Sequence, residues 1–279
     1  MVQAQQITGA VAYHAEGPVW HNELHWVDML AGDVLTLTAG GDIRRRHIAT
    51  VVAALRPRAG GGFVYAVERG FALDLGSGSS LELLPAVWST PGVRMNEGGC
   101  DPDGRFYCGS MAYDFEPGAA AIYRLDTDQS VRRVVAGVTI SNGLEWSPDG
   151  TLAYYADSAT GRIDVFDYDC EGGLTNRRLF VTIDAGSPDG LTVDSQGGVW
   201  SAVWGAGAVH GYSSDGVLSA VIEVPASQVT ACTFGGDDLM DLFITTSREN
   251  LPEAAEPAAG AVFLARPGVP GRPVRPFLG

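Results

Sequence analysis

The stretch Ser141-Asn-Gly-Leu-Glu-Trp-Ser-Pro-Asp-Gly-Thr-Leu-Ala-Tyr-Tyr-Ala-Asp-Ser158 combines a short apolar run, a Ser-Pro-Asp-Gly turn and a second run rich in β-forming residues. Proline fixes φ at one turn position and Asp-Gly tolerates positive φ, so the stretch predicts a strand–turn–strand unit. Two further stretches, 96–109 and 189–202, repeat this order of a polar residue, a turn and a β-rich run. The chain is therefore predicted to consist of repeated β units.

One position of this repeat carries a polar side chain in most copies. Alignment of the turns places Asn96, Asn142 and Asp189 together, with spacings of 46 and 47 residues. The segment around Glu16 fits the same frame, and Thr230 is its last candidate. A period of about 40–50 residues with several short strands is typical of a β-propeller. We predict an all-β fold, a six-bladed propeller with four-stranded blades and a central metal site.

The blades are expected to form a single domain over residues 1–279. The first blade is predicted to begin with a strand over Ile7–Tyr13, and residues 260–265 to form the strand that closes the ring. In the second blade the repeated position falls near Ala54, which is apolar and supplies no ligand. The middle three blades are placed at these approximate ranges: 92–125, 132–168 and 178–212.

Composition excludes several classes of function. The net charge of −15 disfavours nucleic acids and anionic membranes as partners, since both require a basic face. All 18 basic residues are arginines, which excludes Schiff-base chemistry and a P-loop lysine. The N-terminus lacks a basic region followed by an apolar core, and no apolar run reaches about 18 residues. The sequence predicts no signal peptide, no membrane span and a cytoplasmic location.

The four cysteines show no metal-ligand spacing. Cys100, Cys108, Cys170 and Cys232 lie in or next to apolar runs, which predicts buried free thiols. Cys100 and Cys108 flank one hairpin, and a disulfide between them is the less favoured alternative.

The repeated position is the candidate centre of chemistry. In a propeller, equivalent positions of the innermost strands converge on the central axis, so Glu16, Asn142 and Asp189 are expected to meet there. Two carboxylates and an amide oxygen suit Ca²⁺, Mg²⁺ or Mn²⁺, with Zn²⁺ or Fe²⁺ also compatible. Three protein ligands leave open positions for water and substrate. The competing interpretation is that Asn-Gly and Asp-Gly merely form blade turns.

The chain resembles the senescence marker protein/gluconolactonase/luciferin-regenerating family, which includes regucalcin. The similarity covers nearly the whole chain, and its motifs are specific in combination. They are the segments 15–20, 94–111, 140–147, 155–158, 166–169, 188–190 and 230–236.

This resemblance implies a propeller that binds one divalent cation and hydrolyses sugar lactones. Glu16, Asn142 and Asp189 match the family's metal ligands, and Arg94 and Asn96 match its substrate-binding positions. Asp114 matches a position where some members carry a substrate-contacting glutamate. It lies in the insertion 112–118, a candidate lid. The acidic segment 249–260 is predicted to be an exposed loop.

A mechanism follows from this set. The metal would polarise the lactone carbonyl, and Asp189 would act as general base toward water. Two alternatives remain open at this point. One is an esterase, organophosphatase or non-sugar lactonase on the same fold, and the other is a non-catalytic calcium-binding regulatory protein.

Overall fold

The computed structural model describes residues 2–76 and 81–279. These residues form six sheets, and in each one the chain runs outward from an innermost strand through antiparallel neighbours. Two short N-terminal strands add to the outer edges of the last two sheets, one of them in parallel. Each innermost strand contacts the innermost strands of the two neighbouring sheets, and these contacts close a ring. The fold is the predicted six-bladed propeller.

The first three blades follow one another along the chain. Blade one contains Ala15–His21, Glu23–Asp28, Asp33–Leu37 and Ile43–His47. Blade two contains Val52–Pro57, Phe63–Val67, Gly70–Leu73 and Glu82–Leu83. Blade three contains Val93–Cys100, Phe106–Ala112, Ala120–Leu125 and Val131–Val138. Within the described residues, the helical content is two 3₁₀ turns, Met29–Ala31 and Ser158–Thr160.

The other three blades complete the ring. Blade four contains Ser141–Trp146, Leu152–Asp157, Arg162–Asp169 and Gly173–Thr182. Blade five contains Ser187–Val193, Val199–Trp204, Ala208–Tyr212 and Leu218–Glu223, and blade six contains Val229–Gly235, Asp241–Thr246 and Val262–Ala265. Val2–Gln3 pairs with the outer edge of blade five, and Gln5–Gln6 forms the outermost strand of blade six.

These bounds correct three predictions. Residues 7–13 form no strand, and Val262–Ala265 is the third strand of blade six. Gln5–Gln6 closes the ring. The ranges predicted for blades three to five also ended one strand too early, and those for blades four and five began one strand too early. The reason is that Val131–Val138, Gly173–Thr182 and Leu218–Glu223 each pair through a hairpin with the strand that precedes them in the sequence.

Apolar clusters between neighbouring blades hold the ring together. Trp26 and Trp146 are fully buried at two of these interfaces. A buried tryptophan removes about 150–250 Å² from water, so such residues dominate the stabilisation of the core. Cys100, Cys108 and Cys232 are buried free thiols as predicted, whereas Cys170 is exposed because it lies in a hairpin turn.

Removal of residues 1–6 is expected to lower the free energy of unfolding by about 2–5 kcal/mol. The deletion breaks the backbone hydrogen bonds to blades five and six, each worth about 1 kcal/mol, and uncovers apolar surface. Urea denaturation measures this loss. The control is the double substitution Gln5→Ala and Gln6→Ala, which retains the backbone donors. A truncated chain as stable as this control would contradict the account.

Candidate active site

Each innermost strand carries a β-bulge at the repeated position of the sequence. The pairing register breaks beside Glu16, Asn142 and Asp189, and it breaks likewise in the other three blades. A bulge re-aims a side chain, and these three side chains lie in the wall of one cavity of about 380 Å³. The structure thus brings the three predicted metal ligands together.

The glycine after a ligand allows this convergence. Asn142-Gly143 and Asp189-Gly190 lie inside innermost strands. A Cβ atom at Gly143 would come within 2.5 Å of the backbone nitrogen of Leu191 on the adjacent blade. Glycine therefore permits the close approach of two innermost strands. The competing interpretation of these dipeptides as turn formers is wrong.

A chain of hydrogen bonds crosses the site from blade three to blade five. The Nη1 group of Arg94 donates to Asn96 Oδ1 at 2.5 Å, and Asn96 Nδ2 donates to Asn142 Oδ1 at 3.0 Å. Asn142 Nδ2 donates to Ser158 Oγ at 2.7 Å, and that hydroxyl donates to the carbonyl of Pro188 at 2.6 Å. The chain fixes the orientation of the Asn142 amide and leaves its Oδ1 with a further lone pair.

The carboxylates of the site are buried, and their negative charges are near enough to raise one another's pKa. Burial raises the pKa of Glu16 to about 7. Burial, reinforced by the charges of Glu16 and Glu97, raises the pKa of Asp189 well above its usual range. Glu97 follows Asn96 in the same strand, and burial and the Glu16 charge raise its pKa in the same direction. The site therefore has a strong demand for positive charge.

This donor set fits a divalent cation. Asp189 Oδ1 is buried without a hydrogen-bond partner among the described residues, and Glu16 accepts one bond, from the backbone N–H of Gly17. No ion pair of the described residues engages either carboxylate. Residues 2–76 and 81–279 contain no cluster of three or more His, Cys, Asp or Glu suited to a metal. The set here instead combines two carboxylates with an amide oxygen, which are ligands of hard cations.

The predicted substrate residues are divided between the cavity and the surface. Arg94 and Asn96 are buried in the cavity wall. Asp114 lies on the exposed surface of the insertion, where it accepts a hydrogen bond from the backbone of Glu116, and its role in binding stays a prediction. The insertion instead presents Phe115 to the cavity.

The lining also includes residues that were not singled out as site residues from the sequence, among them His14, Ser158, Trp204 and Glu249. None occupies the repeated position, so the periodic pattern carries no signal for them. His14 is the best buried of the titratable ones. Its Nδ1 lies 2.8 Å from Ser247 Oγ, and burial lowers its pKa to about 3.

His14 is expected to make stability sensitive to acid. Its folded pKa is below the unfolded value of about 6.5, so its contribution is present above pH 6.5 and is lost as the pH falls. Between pH 6.5 and 5 the wild type should lose about 2 kcal/mol more stability than His14→Asn. Urea denaturation across this range measures the difference, with exposed His21→Asn as control. Parallel curves for wild type and His14→Asn would refute the expectation.

Comparisons with known proteins agree with this architecture. A family model described as SMP-30/Gluconolactonase/LRE-like region matches residues 14–248. Regucalcin from Danio rerio is 35% identical over 95% of this chain and 94% of its own length, and a pentonolactonase from Haloferax volcanii is 34% identical over 92% of each. The crystal structure of a calcium-binding protein, regucalcin, from Agrobacterium tumefaciens has a TM-score of 0.91 at 29% identity, covering 99% of this chain and 97% of that one. The chain belongs to the SMP-30/gluconolactonase/luciferin-regenerating-enzyme-like family.

Proposed function

We propose that the protein is a metal-dependent hydrolase that opens sugar lactones. The observation that carries the proposal is the meeting of Glu16, Asn142 and Asp189 with Arg94 and Asn96 in one cavity. Its volume of about 380 Å³ is suitable for a small molecule. The pentonolactonase among the relatives supports lactone hydrolysis as the reaction.

Glu16, Asn142 and Asp189 would hold the cation, with Ca²⁺, Zn²⁺, Mn²⁺, Mg²⁺ and Fe²⁺ as candidates. When bound, such an ion acts as a Lewis acid toward a carbonyl oxygen and neutralises the buried carboxylates. The regucalcin relative described as a calcium-binding protein supports a divalent ion.

Three side chains have separate roles in the hydrolysis of the lactone. Asp189 takes a proton from water as the water oxygen bonds to the lactone carbonyl carbon. The ring C–O bond breaks, and the ring oxygen leaves as a hydroxyl after receiving that proton. Arg94 donates hydrogen bonds to the sugar. Asn96 donates to the Ser141 carbonyl and to Asn142, which orients Asn142, and its Oδ1 accepts a hydrogen bond from a sugar hydroxyl.

An apolar part of the same cavity favours a second candidate, an esterase, organophosphatase or non-sugar lactonase. Met111, Phe115, Ile140 and Trp204 form this part of the lining. Sugars also stack on aromatic rings, so this lining is compatible with both candidates. The polar side chains of Arg94 and Asn96 in the same cavity favour the sugar lactone. A non-catalytic calcium-binding role needs no substrate cavity, so the cavity argues against it. The cytoplasmic location stays a prediction.

A substrate panel tests the proposal. Metal-reconstituted protein is mixed with freshly prepared gluconolactone, xylonolactone, an aryl acetate and a phosphotriester, and acid release is followed with a pH indicator. Turnover of the sugar lactones above their spontaneous rate is the expected result. Turnover of the aryl ester or phosphotriester alone would favour the second candidate, and no turnover at all would favour the binding role.

In the described part of the chain, no helix is long and apolar enough to cross a membrane.

A further inference from the structure

We propose that Glu249 is a specificity residue that accepts a hydrogen bond from a sugar hydroxyl and excludes lactones that carry an anionic group. The inference rests on the proposed lactonase function and deepens it by naming the substrate class, a neutral polyhydroxy lactone. Glu249 lies outside the repeated frame and is not one of the predicted ligands.

The backbone of Glu249 is held on both sides, so its side chain is positioned. Its N–H donates to Ser247 Oγ at 2.9 Å, and its carbonyl accepts from Gln228 Nε2 at 3.2 Å. The side chain lines the cavity and remains 27% exposed, so a substrate hydroxyl has access to it.

The carboxylate of Glu249 is free to accept a hydrogen bond. Its nearest basic neighbour is His14, whose Nδ1 lies 3.6 Å away. That ring nitrogen lies closer to Ser247 Oγ, at 2.8 Å, so its hydrogen bond is made to Ser247 and not to Glu249. No hydrogen bond of the described residues engages the Glu249 carboxylate oxygens.

Arg94 is the one guanidinium among the described residues that line the cavity. Burial lowers the pKa of Arg94 and raises that of Glu249, and the charge of each acts against the effect of burial on the other. Arg94 uses Nη1 for its hydrogen bonds, which go to the Met29 sulfur, the Met95 carbonyl and Asn96, and its guanidinium lies over the Tyr113 ring. A fixed donor and a fixed acceptor in one cavity match a diol.

The charge balance of the cavity explains why lactones with an anionic group would be excluded. Among the residues that line the cavity, a divalent ion would balance Glu16 and Asp189, and Arg94 would balance Glu249, which leaves the lining without net charge toward a substrate. A phosphate or sulfonate on the sugar meets the Glu249 charge in a partly desolvated space, where like charges repel strongly. Without that carboxylate, Arg94 is available to pair with the anion.

The test compares gluconolactone with 6-phosphogluconolactone, which differ in one anionic group. The readout is the ratio of their kcat/KM values in wild type, Glu249→Gln, Glu249→Asp and Glu253→Gln. Glu253 is an exposed carboxylate on the same loop, so its replacement makes the same change in net charge away from the cavity. The kinetics are repeated at low and high salt.

Wild type should prefer the neutral lactone, and Glu249→Gln should shift the ratio about tenfold toward the phosphorylated one. Glu249→Asp should restore most of the preference, Glu253→Gln should leave it unchanged, and salt should weaken it. A shift below about twofold in Glu249→Gln, with neutral lactone still hydrolysed, overturns the inference and leaves the lactonase proposal intact. Absence of lactone turnover in wild type overturns both.

Discussion

Replacement of Asp189 by asparagine is expected to reduce kcat for lactone hydrolysis by about 10³-fold or more. The substitution preserves the shape of the side chain but removes the carboxylate that takes the proton from water, a contribution of about 10²–10⁴-fold in general-base catalysis. It also removes one of two negative charges for the cation. Initial rates with gluconolactone, corrected for spontaneous hydrolysis, measure the effect.

The matched control is Asp184→Asn, an exposed aspartate that precedes the innermost strand of the same blade. Its rate should equal that of the wild type. A rate within tenfold of wild type for Asp189→Asn would show that this carboxylate is not the base.

Replacement of Glu16 by glutamine is expected to have opposite effects on stability with and without metal. Burial raises the pKa of Glu16 to about 7, so its contribution to stability is lost as the pH rises through 7. At pH 8, metal-free Glu16→Gln should therefore be about 1–3 kcal/mol more stable than metal-free wild type. With metal at 100 times its Kd, wild type should gain about 2.7 kcal/mol and the variant much less.

Urea denaturation of chelator-treated protein, with and without added ion, measures both effects. Glu253→Gln serves as the exposed control and should follow the wild type in both conditions. An equal gain from metal in wild type and Glu16→Gln would remove Glu16 from the ligand set.

The architecture and the centre of the site were predictable because both depend on a period. The repeated position reappears every blade, and a bulge in each innermost strand directs that position toward the axis. In blades two and six the bulge holds Ala53 and Thr230, and neither residue is a candidate ligand. Thr230 has a structural role, since its hydroxyl donates to the carbonyl of Ala15 and so ties blade six to blade one.

Features without a period were the ones that sequence reasoning missed. Gln5–Gln6 closes the ring as a two-residue polar strand, too short for an alternation of polar and apolar residues to identify it. Its partner lies at the other end of the chain, and local propensity carries no information on such a pairing. The chain therefore appeared to close with residues 260–265.

The loop contributions to the cavity were equally hard to predict. A loop sequence does not tell which of its side chains turns inward, and the insertion presents Phe115 at a positive φ of 60° while Asp114 faces solvent. Glu249 was part of a segment recognised as acidic and exposed. Its inward position depends on hydrogen bonds to Ser247 and Gln228, which belong to blade six and to the segment preceding it.

The most direct test of the account is the rate of gluconolactone hydrolysis by one protein sample before and after metal. The sample is stripped with chelator, assayed, and then assayed again after addition of Ca²⁺, Mg²⁺, Mn²⁺, Zn²⁺ or Fe²⁺ in separate portions. The account predicts no turnover above the spontaneous rate in the stripped sample and restored turnover with at least one ion. Full activity in the stripped sample would contradict it.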